Sequence, residues 1–457
     1  MRTLHQLETF YQQQQEKFGQ ILFKQVRAQG STPREATFPS KHTKYRVFGP
    51  KCEEPSSMIM LGPPAAELSA GHREMGPEKS LKPRGGRRKL SRSDHWAPEQ
   101  DAAYFHSYAH VGIHEEMIKD RVRTETYRNA IFQHADLIKD KVVVDVGCGT
   151  GILSIFCAYA GARKVYAVDA SEIAIQAREV VKANGLSDTV IVLVGRIEEV
   201  QIDEEVDIIV SEWMGYMLLY ESMLSSVIYA RDRWLKPGGI ILPSHATLYL
   251  APITNVERYA ESIDFWRNVY GIDMSAMLPL AKQCSFEEPC VESITAENVM
   301  SWPVQVKHID CSTVTVQELE SVTSNFSVPS MMTASLHGFA LWFDVIFVGS
   351  TSSPSDTHSE SSMDSSLSGG LNGNGVLQKS KRAKTLNQIM LSTAPEESPT
   401  HWQQTVLYIY DPIEVRQDQQ ISGSITMSQS RENPRFLNIH LEYKCGGRCY
   451  VKETVMR

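Results

Sequence analysis

Apolar residues along this chain fall into two successive patterns, and the change between them divides it. From 141 to 243, compact apolar runs alternate with stretches of helical spacing. The runs are KVVVDV (141–146), KVYAVD (164–169), VIVLVG (190–195) and VDIIVSE (206–212). The helical stretches are ILSIFCAYA (152–160), EIAIQAREVVKAN (172–184) and ESMLSSVIYARDRWL (221–235), after which Gly238-Gly239 leads into IILP (240–243). Such alternation predicts a parallel sheet with helices on both faces. Ahead of it, residues 103–132 read as an aromatic loop followed by an amphipathic helix. After Pro243, short strand-like segments take over: ATLYLAPI (246–253), GFALWFDVIFVG (338–349), TVLYIYDPI (405–413) and LNIHLEYK (437–444). These point to an antiparallel sandwich or barrel. A helix-like run at 254–282 interrupts it, with Phe265, Trp266, Tyr270 and Met274 expected to be exposed. No internal repeat is visible.

Composition sets the limits of these two domains, expected at 101–243 and 244–457. Residues 1–100 read as a mostly disordered extension: 4–28 are rich in Gln and suit one helix, while 30–98 are rich in Pro, Gly, Ser and charge. A Ser/Gly/Asn-rich insertion at 350–398 cannot bury a core and is expected to be disordered. Basic clusters KPRGGRRKLSR (82–92) and KSKRAK (379–384) read either as solvated tails or as nuclear-import signals or partner contacts. A hydrophobic content of 42% and a charged content of 22% fit a soluble globular protein, and no apolar stretch is long enough to cross a bilayer. The amino terminus lacks the apolar core of a signal peptide, which predicts an intracellular protein. Eight scattered cysteines make no disulfide framework, and Cys445 and Cys449 are expected to be free thiols rather than metal ligands. A net charge of −8 argues against direct nucleic-acid binding and suits a cationic substrate.

Chemistry enters at VVVDVGCGTGILSIF (142–156), a strand, a glycine turn and a helix. Gly147, Gly149 and Gly151 let the backbone turn tightly and approach a ligand. Asp169, ending the next strand, can accept both hydroxyls of a ribose, or else caps the helix near Ser171. The spacing is GxGxG with Asp145 just ahead, and neither the dinucleotide fingerprint nor a Walker lysine is present. This is the form typical of methyltransferases that use S-adenosylmethionine. Glu198 lies where an adenine would reach the switch point of the sheet.

A second constellation is SEWMGYMLLYESM (211–223). Glu212 ends the fourth strand and Glu221 starts a helix after a short loop, so folding back would bring the carboxylates together. Two like charges that close raise a pKa unless a cation lies between them. A guanidinium suits the place, since its planar fork offers a pair of donors to each carboxylate. Arginine is unreactive because its lone pairs are delocalised into a cation of pKa about 12.5–13.8. Two carboxylates would draw that charge to one side and free a nitrogen for attack. Spacing alone leaves the alternative of two surface glutamates around a buried Trp–Met loop.

Together with YFHSY (104–108), VDVGCGTGILS (144–154) and THW (400–402), these residues resemble the protein arginine N-methyltransferases of the asymmetric-dimethylating class. The resemblance runs from about Tyr104 to Arg457, apart from 350–398. It implies a Rossmann-like S-adenosylmethionine-dependent methyltransferase domain, followed by an antiparallel β-barrel with an inserted helical dimerisation arm at 254–282. By resemblance, Glu212 and Glu221 are the substrate clamp. Tyr104 and Tyr108 belong to a lid, and His114, Arg123, Gly147, Gly149, Asp169 and Glu198 hold S-adenosylmethionine. His401 meets Asp120 across the domain boundary, as a proton relay or a structural pin. Met117 and Met223 crowd the pocket and direct the second methyl to the nitrogen that carries the first. The implied product is ω-N-monomethyl- and asymmetric dimethylarginine on histone tails and Gly/Arg-rich proteins. The implied assembly is a homodimer; the basic clusters predict a nuclear and cytoplasmic protein with the nucleus favoured, and no metal or membrane partner is expected. A small-molecule methyltransferase or a non-catalytic scaffold remains the alternative from the cofactor half alone.

Overall fold

The computed structural model describes residues 45–48, 98–349 and 388–457. A short strand, β1 (Tyr45–Phe48), is followed by helices α1 (Pro98–Tyr108), α2 (Val111–Lys119), α3 (Arg121–Gln133) and α4 (Ala135–Ile138). The apolar runs then become β2 (Val142–Val146), β3 (Lys164–Asp169), β4 (Val190–Val194), β5 (Val206–Val210) and β6 (Leu235–Leu242). Between them lie α5 (Ile152–Tyr159), α6 (Ile173–Ala183) and α7 (Leu224–Trp234). All pairings are parallel, in the order β4-β3-β2-β5-β6. Every residue of β2 is buried, as a strand covered on both faces requires. The chain runs outward in opposite directions from β2, through β3 on one side and β5 on the other. The carboxyl ends of β2 and β5 therefore border the crevice where open sheets of this kind take ligands.

After Pro243 come β7 (His245–Ile253), α8 (Val256–Ser262), α9 (Leu278–Phe286), β8 (Cys290–Glu292), β9 (Val304–Asp310) and α10 (Val316–Glu320). The remaining strands are β10 (Ser321–Pro329), β11 (Ala334–Phe347), β12 (Ile389–Ser392), β13 (Gln404–Val415), β14 (Gln420–Gln429), β15 (Leu437–Cys445) and β16 (Arg448–Met456). They form two antiparallel sheets, β8-β13-β11-β7-β9 with β12 beside β11, and β1-β16-β15-β14-β10. Phe339 of β11 joins the two faces, its ring 5.5 Å from Phe326 of β10 and 5.1 Å from Tyr443 of β15. Where the domains meet, Tyr127 of α3 stacks edge-on against Phe347 of β11 at 4.9 Å.

Several expectations change. YFHSY is helical, not a loop, because Tyr104 and Tyr108 sit one turn apart on the same face of α1, with rings 4.7 Å apart. The insertion expected to be disordered through 398 ends earlier. Ile389–Ser392 pair with Asp344–Phe347, and Leu391 is buried there, since IMLS supplies the apolar residues that the preceding stretch lacks. Within the extension expected to lack structure, Tyr45–Phe48 pair antiparallel with the edge of β16. The rest of 1–97, and 350–387 with the second basic cluster, lie outside the described residues, as does the helix expected at 4–28. Cys445 is a free buried thiol as expected, but Cys449 is disulfide-bonded.

The interruption at 254–282 is broken rather than continuous: α8, two 3₁₀ turns at Asp264–Arg267 and Ser275–Met277, then the start of α9. Phe265 is 50% exposed and Tyr270 is 99% exposed. Trp266 and Met274 are half-buried instead, with Trp266 packed against the apolar cluster that contains Ile263 and Phe286.

Candidate active site

The turn after β2 is shaped by its glycines. Gly147 has φ +75° and Gly149 φ +54°, both in the left-handed region. A Cβ on Gly147 would lie 2.5 Å from Cε of Met223, and one on Gly149 would lie 3.1 Å from Nδ1 of His114. Met223 and His114 therefore lie directly against the turn. Asp169 braces it: Oδ2 accepts the Gly149 N–H at 2.8 Å, while Oδ1 accepts the Ser171 N–H and hydroxyl at 2.8 and 2.7 Å. Its carboxylate thus ties the glycine turn to the turn after β3 and does not cap α6, whose N-cap is Glu172 with no side-chain cap bond. Glu198, beyond β4, is exposed and accepts the Ser226 hydroxyl at 2.8 Å.

Asp145, at the end of β2, is fully buried. Ser154 donates to its Oδ2 at 2.6 Å, whereas Oδ1 has no hydrogen-bond partner among the described residues. Burial pushes this carboxyl up to about 7. Across the crevice, Arg123 of α3 donates from Nε to Oε2 of Glu212 at 2.9 Å, with both side chains almost wholly buried. Oε1 of Glu212 is buried and likewise has no hydrogen-bond partner among the described residues. The unpartnered oxygen of Glu212, just past the end of β5, makes the crevice suited to a ligand that brings positive charge.

Residues 211–223 form a tight loop. Gly215 and Leu218 bridge each other, Met217 and Leu218 have positive φ, and so does Glu221 at +53°. A left-handed glutamate is strained and persists only where its surroundings over-determine it. Here the Glu221 N–H donates to the carbonyl of Arg435 at 3.3 Å, and the Met223 N–H to that of Trp213 at 3.0 Å. Burial raises the Glu221 carboxyl, and the charge of Arg435 opposes this. Burial pushes the Tyr108 phenol well above its usual value, and the charges of Glu221 and Glu212 act in the same direction. The backbone carbonyl of Tyr108 meets Nε2 of His114 at 2.7 Å, and the Met117 carbonyl accepts from Nη1 of Arg123 at 3.2 Å.

The barrel reaches this loop through Thr400-His401-Trp402. Nδ1 of His401 lies 2.7 Å from Oδ2 of Asp120, and the His401 N–H donates to the same oxygen at 2.9 Å. Oδ1 of Asp120 caps α3 by accepting the Arg123 N–H at 3.0 Å. Although burial would raise the Asp120 carboxyl, the hydrogen bonds from His401 and Arg123 hold it below its ordinary value of 3.8. Trp402 is buried and donates to the Met214 carbonyl at 3.2 Å.

The depressed Asp120 fixes a sign for stability. Its contribution is fully present above the ordinary carboxylate range and is lost as pH falls through the lowered folded value. Asp120→Ala is expected to cost about 0.5–2 kcal/mol, the usual range for losing a helix cap. Its melting temperature should also fall less steeply than wild type below pH 4, as thermal unfolding followed by circular dichroism would show. An unchanged slope would contradict the linkage.

Gly215 and Arg435 were not singled out from sequence. Gly215 stands in a quoted motif and has a structural signal only in three dimensions. Arg435 carried none.

Among the described residues no three metal-ligating side chains cluster, and no helix is long and apolar enough to cross a membrane.

Comparisons with known proteins agree with this geometry. The family model "Arginine methyltransferase oligomerization subdomain" matches residues 244–362 and 379–448, and "Ribosomal protein L11 methyltransferase (PrmA)" matches 129–244. A probable protein arginine N-methyltransferase 6 of Arabidopsis thaliana is 70% identical over 357 residues, 78% of this chain and 82% of that protein. Protein arginine N-methyltransferase 6 of Danio rerio is 44% identical over 79% of this chain and 93% of its own length. Among solved structures, the Trypanosoma brucei PRMT1 enzyme–prozyme heterotetrameric complex with AdoHcy aligns at a TM-score of 0.65. It is 37% identical and covers 77% of this chain and all of that one. With its parallel sheet, its barrel and a glutamate at each end of the 211–223 loop's core, the chain belongs to the protein arginine N-methyltransferases.

Proposed function

We propose that this enzyme methylates protein arginines to ω-N-monomethylarginine and asymmetric dimethylarginine, with S-adenosylmethionine as donor. The observation that carries the reading is a buried carboxylate near each end of the 211–223 loop: Glu221, raised by burial, and Glu212, held by Arg123 through one oxygen while the other, buried, has no partner among the described residues. The crevice fits the donor on its own chemistry: a glycine turn packed against Met223 and His114, no Walker lysine for phosphate, and a buried Glu212 oxygen suited to positive charge. When bound, S-adenosylmethionine supplies a methyl group on a sulfonium. Gly147, Gly149, Asp169 and Glu198 would hold its nucleoside side, with Arg123 and His114 towards its amino-acid end. Glu212 and Glu221 would grip the guanidinium by paired hydrogen bonds and concentrate its charge on one side, leaving the other nitrogen able to attack. His401 and Asp120 act as a pin: the Asp120 carboxylate, held by His401, accepts the Arg123 N–H and so fixes the start of α3, which carries Arg123.

Product identity rests on Met117 and Met223. Met223 fills the space over Gly147, where it would exclude a methyl group on the far nitrogen. Fragmentation spectra of peptides treated with enzyme should show neutral loss of dimethylamine, the mark of the asymmetric isomer. Dominant loss of monomethylamine from doubly methylated arginine would overturn this assignment. Histone tails and Gly/Arg-rich peptides are the first substrates to try, and the basic clusters at 82–92 and 379–384 support a partly nuclear enzyme that modifies chromatin proteins.

The exposed aromatic surface of 254–282 supports a homodimer in which this arm seats on a second copy. Phe265→Glu combined with Tyr270→Glu should give a folded monomer by light scattering, with activity lost. A dimer that survives both charges would sink the arm's role.

A further inference from the structure

A charged side chain outside the clamp reaches the same place from the barrel. Arg435 lies in the turn 430–436 between β14 and β15, where its N–H donates to Oδ1 of Asn433 at 3.1 Å. The residue is only 8% exposed. Its guanidinium carbon stands 3.3 Å from the centre of the Tyr104 ring and 5.5 Å from that of Phe105. Its carbonyl accepts the N–H of Glu221, the residue held at positive φ. One barrel residue thus touches the lid helix through its cation and the clamp through its backbone. A desolvated guanidinium on an aromatic face is a strong contact for its size.

We infer that Arg435 is a positioning residue for the reaction: it fixes Tyr104 over the crevice and supplies the positive charge against which Glu221 is held for an incoming guanidinium. This rests on reading Glu221 as part of the clamp. Among the described residues, the titratable groups coupled electrostatically to Glu221 are Tyr104 and Tyr108 from α1, Tyr216 and Tyr220 from its own loop, and Arg435 from the barrel. Burial raises all four phenols, Tyr104 to about 12, so they stay neutral wherever Glu221 titrates. Arg435 is then the charge, among the described residues, that opposes protonation of Glu221. Loss of that charge should raise the folded carboxyl further, because burial would act unopposed.

The test is binding of a Gly/Arg-rich peptide, by fluorescence anisotropy across the acid range, to enzyme saturated with S-adenosylhomocysteine. Wild-type affinity should weaken as pH falls through the Glu221 midpoint. Arg435→Met should move that midpoint up by about one pH unit and weaken binding about tenfold on the acid side. Arg435→Lys keeps the charge and should leave the midpoint in place. A folded Arg435→Met whose midpoint does not move overturns the inference. Should that variant not fold, Arg435→Gln carries the same expectation. If neither neutral variant folds while Arg435→Lys does, the role is structural and the inference is overturned. Failure of the underlying reading looks different: wild type would show no acid limb and Glu221→Gln would bind peptide normally.

Discussion

Glu221→Gln should lower turnover by a factor on the order of 10²–10³, the range found for removing one preorganised electrostatic contact to a transition state. Glutamine keeps the size of the side chain and one hydrogen-bond acceptor but removes the charge. In a buried site that charge acts strongly on a bound guanidinium, since little water is present to screen it. Binding of S-adenosylhomocysteine, measured by calorimetry, should persist, because the glycine turn and Asp169 do not contact the substituted carboxyl. Peptide affinity should weaken along with turnover. Unchanged turnover in a folded Glu221→Gln enzyme would remove the clamp from the proposed chemistry. Restoration of activity at high pH would also count against it, since glutamine cannot regain a charge.

Gly215→Ala is expected to be as damaging, through backbone alone. A Cβ at this position would fall 1.5 Å from the carbonyl oxygen of Tyr220 and 2.7 Å from its carbonyl carbon. Those atoms belong to a backbone held by the Gly215–Leu218 bridge and by the bond from Tyr220 N–H to Tyr216 O at 3.1 Å. No rotamer change relieves the collision, so the loop must open and carry Glu221 away from Glu212. A misplacement of about 1 Å is enough to cost a factor of roughly 10² in an oriented reaction. The parallel sheet lies below this loop and should survive, so far-ultraviolet circular dichroism and cofactor binding should stay near wild type while methyl transfer disappears. Wild-type rates in Gly215→Ala would show that the loop rearranges on substrate binding.

How much of this could be read in advance depended on burial. β2 and β5 were legible because both faces are covered, which forces runs of Val and Ile. β14, QISGSITMSQ, was not, because one face is open to solvent and its polar residues hide the alternation of buried Ile421, Ile425 and Met427. In the site, Glu212 and Glu221 could be paired because they lie on one loop. The same is true of Gly149 and Asp169, which are joined by a strand-to-strand step of known geometry. Arg435 comes from a remote turn, and its meeting with Tyr104 depends on how the barrel sits against α1. Periodicity carries no information about such a contact. The helical state of YFHSY was readable in principle from the i, i+4 tyrosines but was obscured by the aromatic composition.

The bond from Trp402 to the Met214 carbonyl has a further meaning for how this enzyme can be taken apart. The sheet that holds the glycine turn ends at Leu242, yet the loop carrying both glutamates is propped by a strand turn of the barrel at the domain boundary. A fragment ending at Pro243 would therefore keep a nucleoside-binding surface and lose the wall against which the acidic loop is folded. Modularity stops at this loop: the barrel cannot be exchanged for that of a relative as an independent specificity cassette unless its tryptophan turn returns to the same carbonyl.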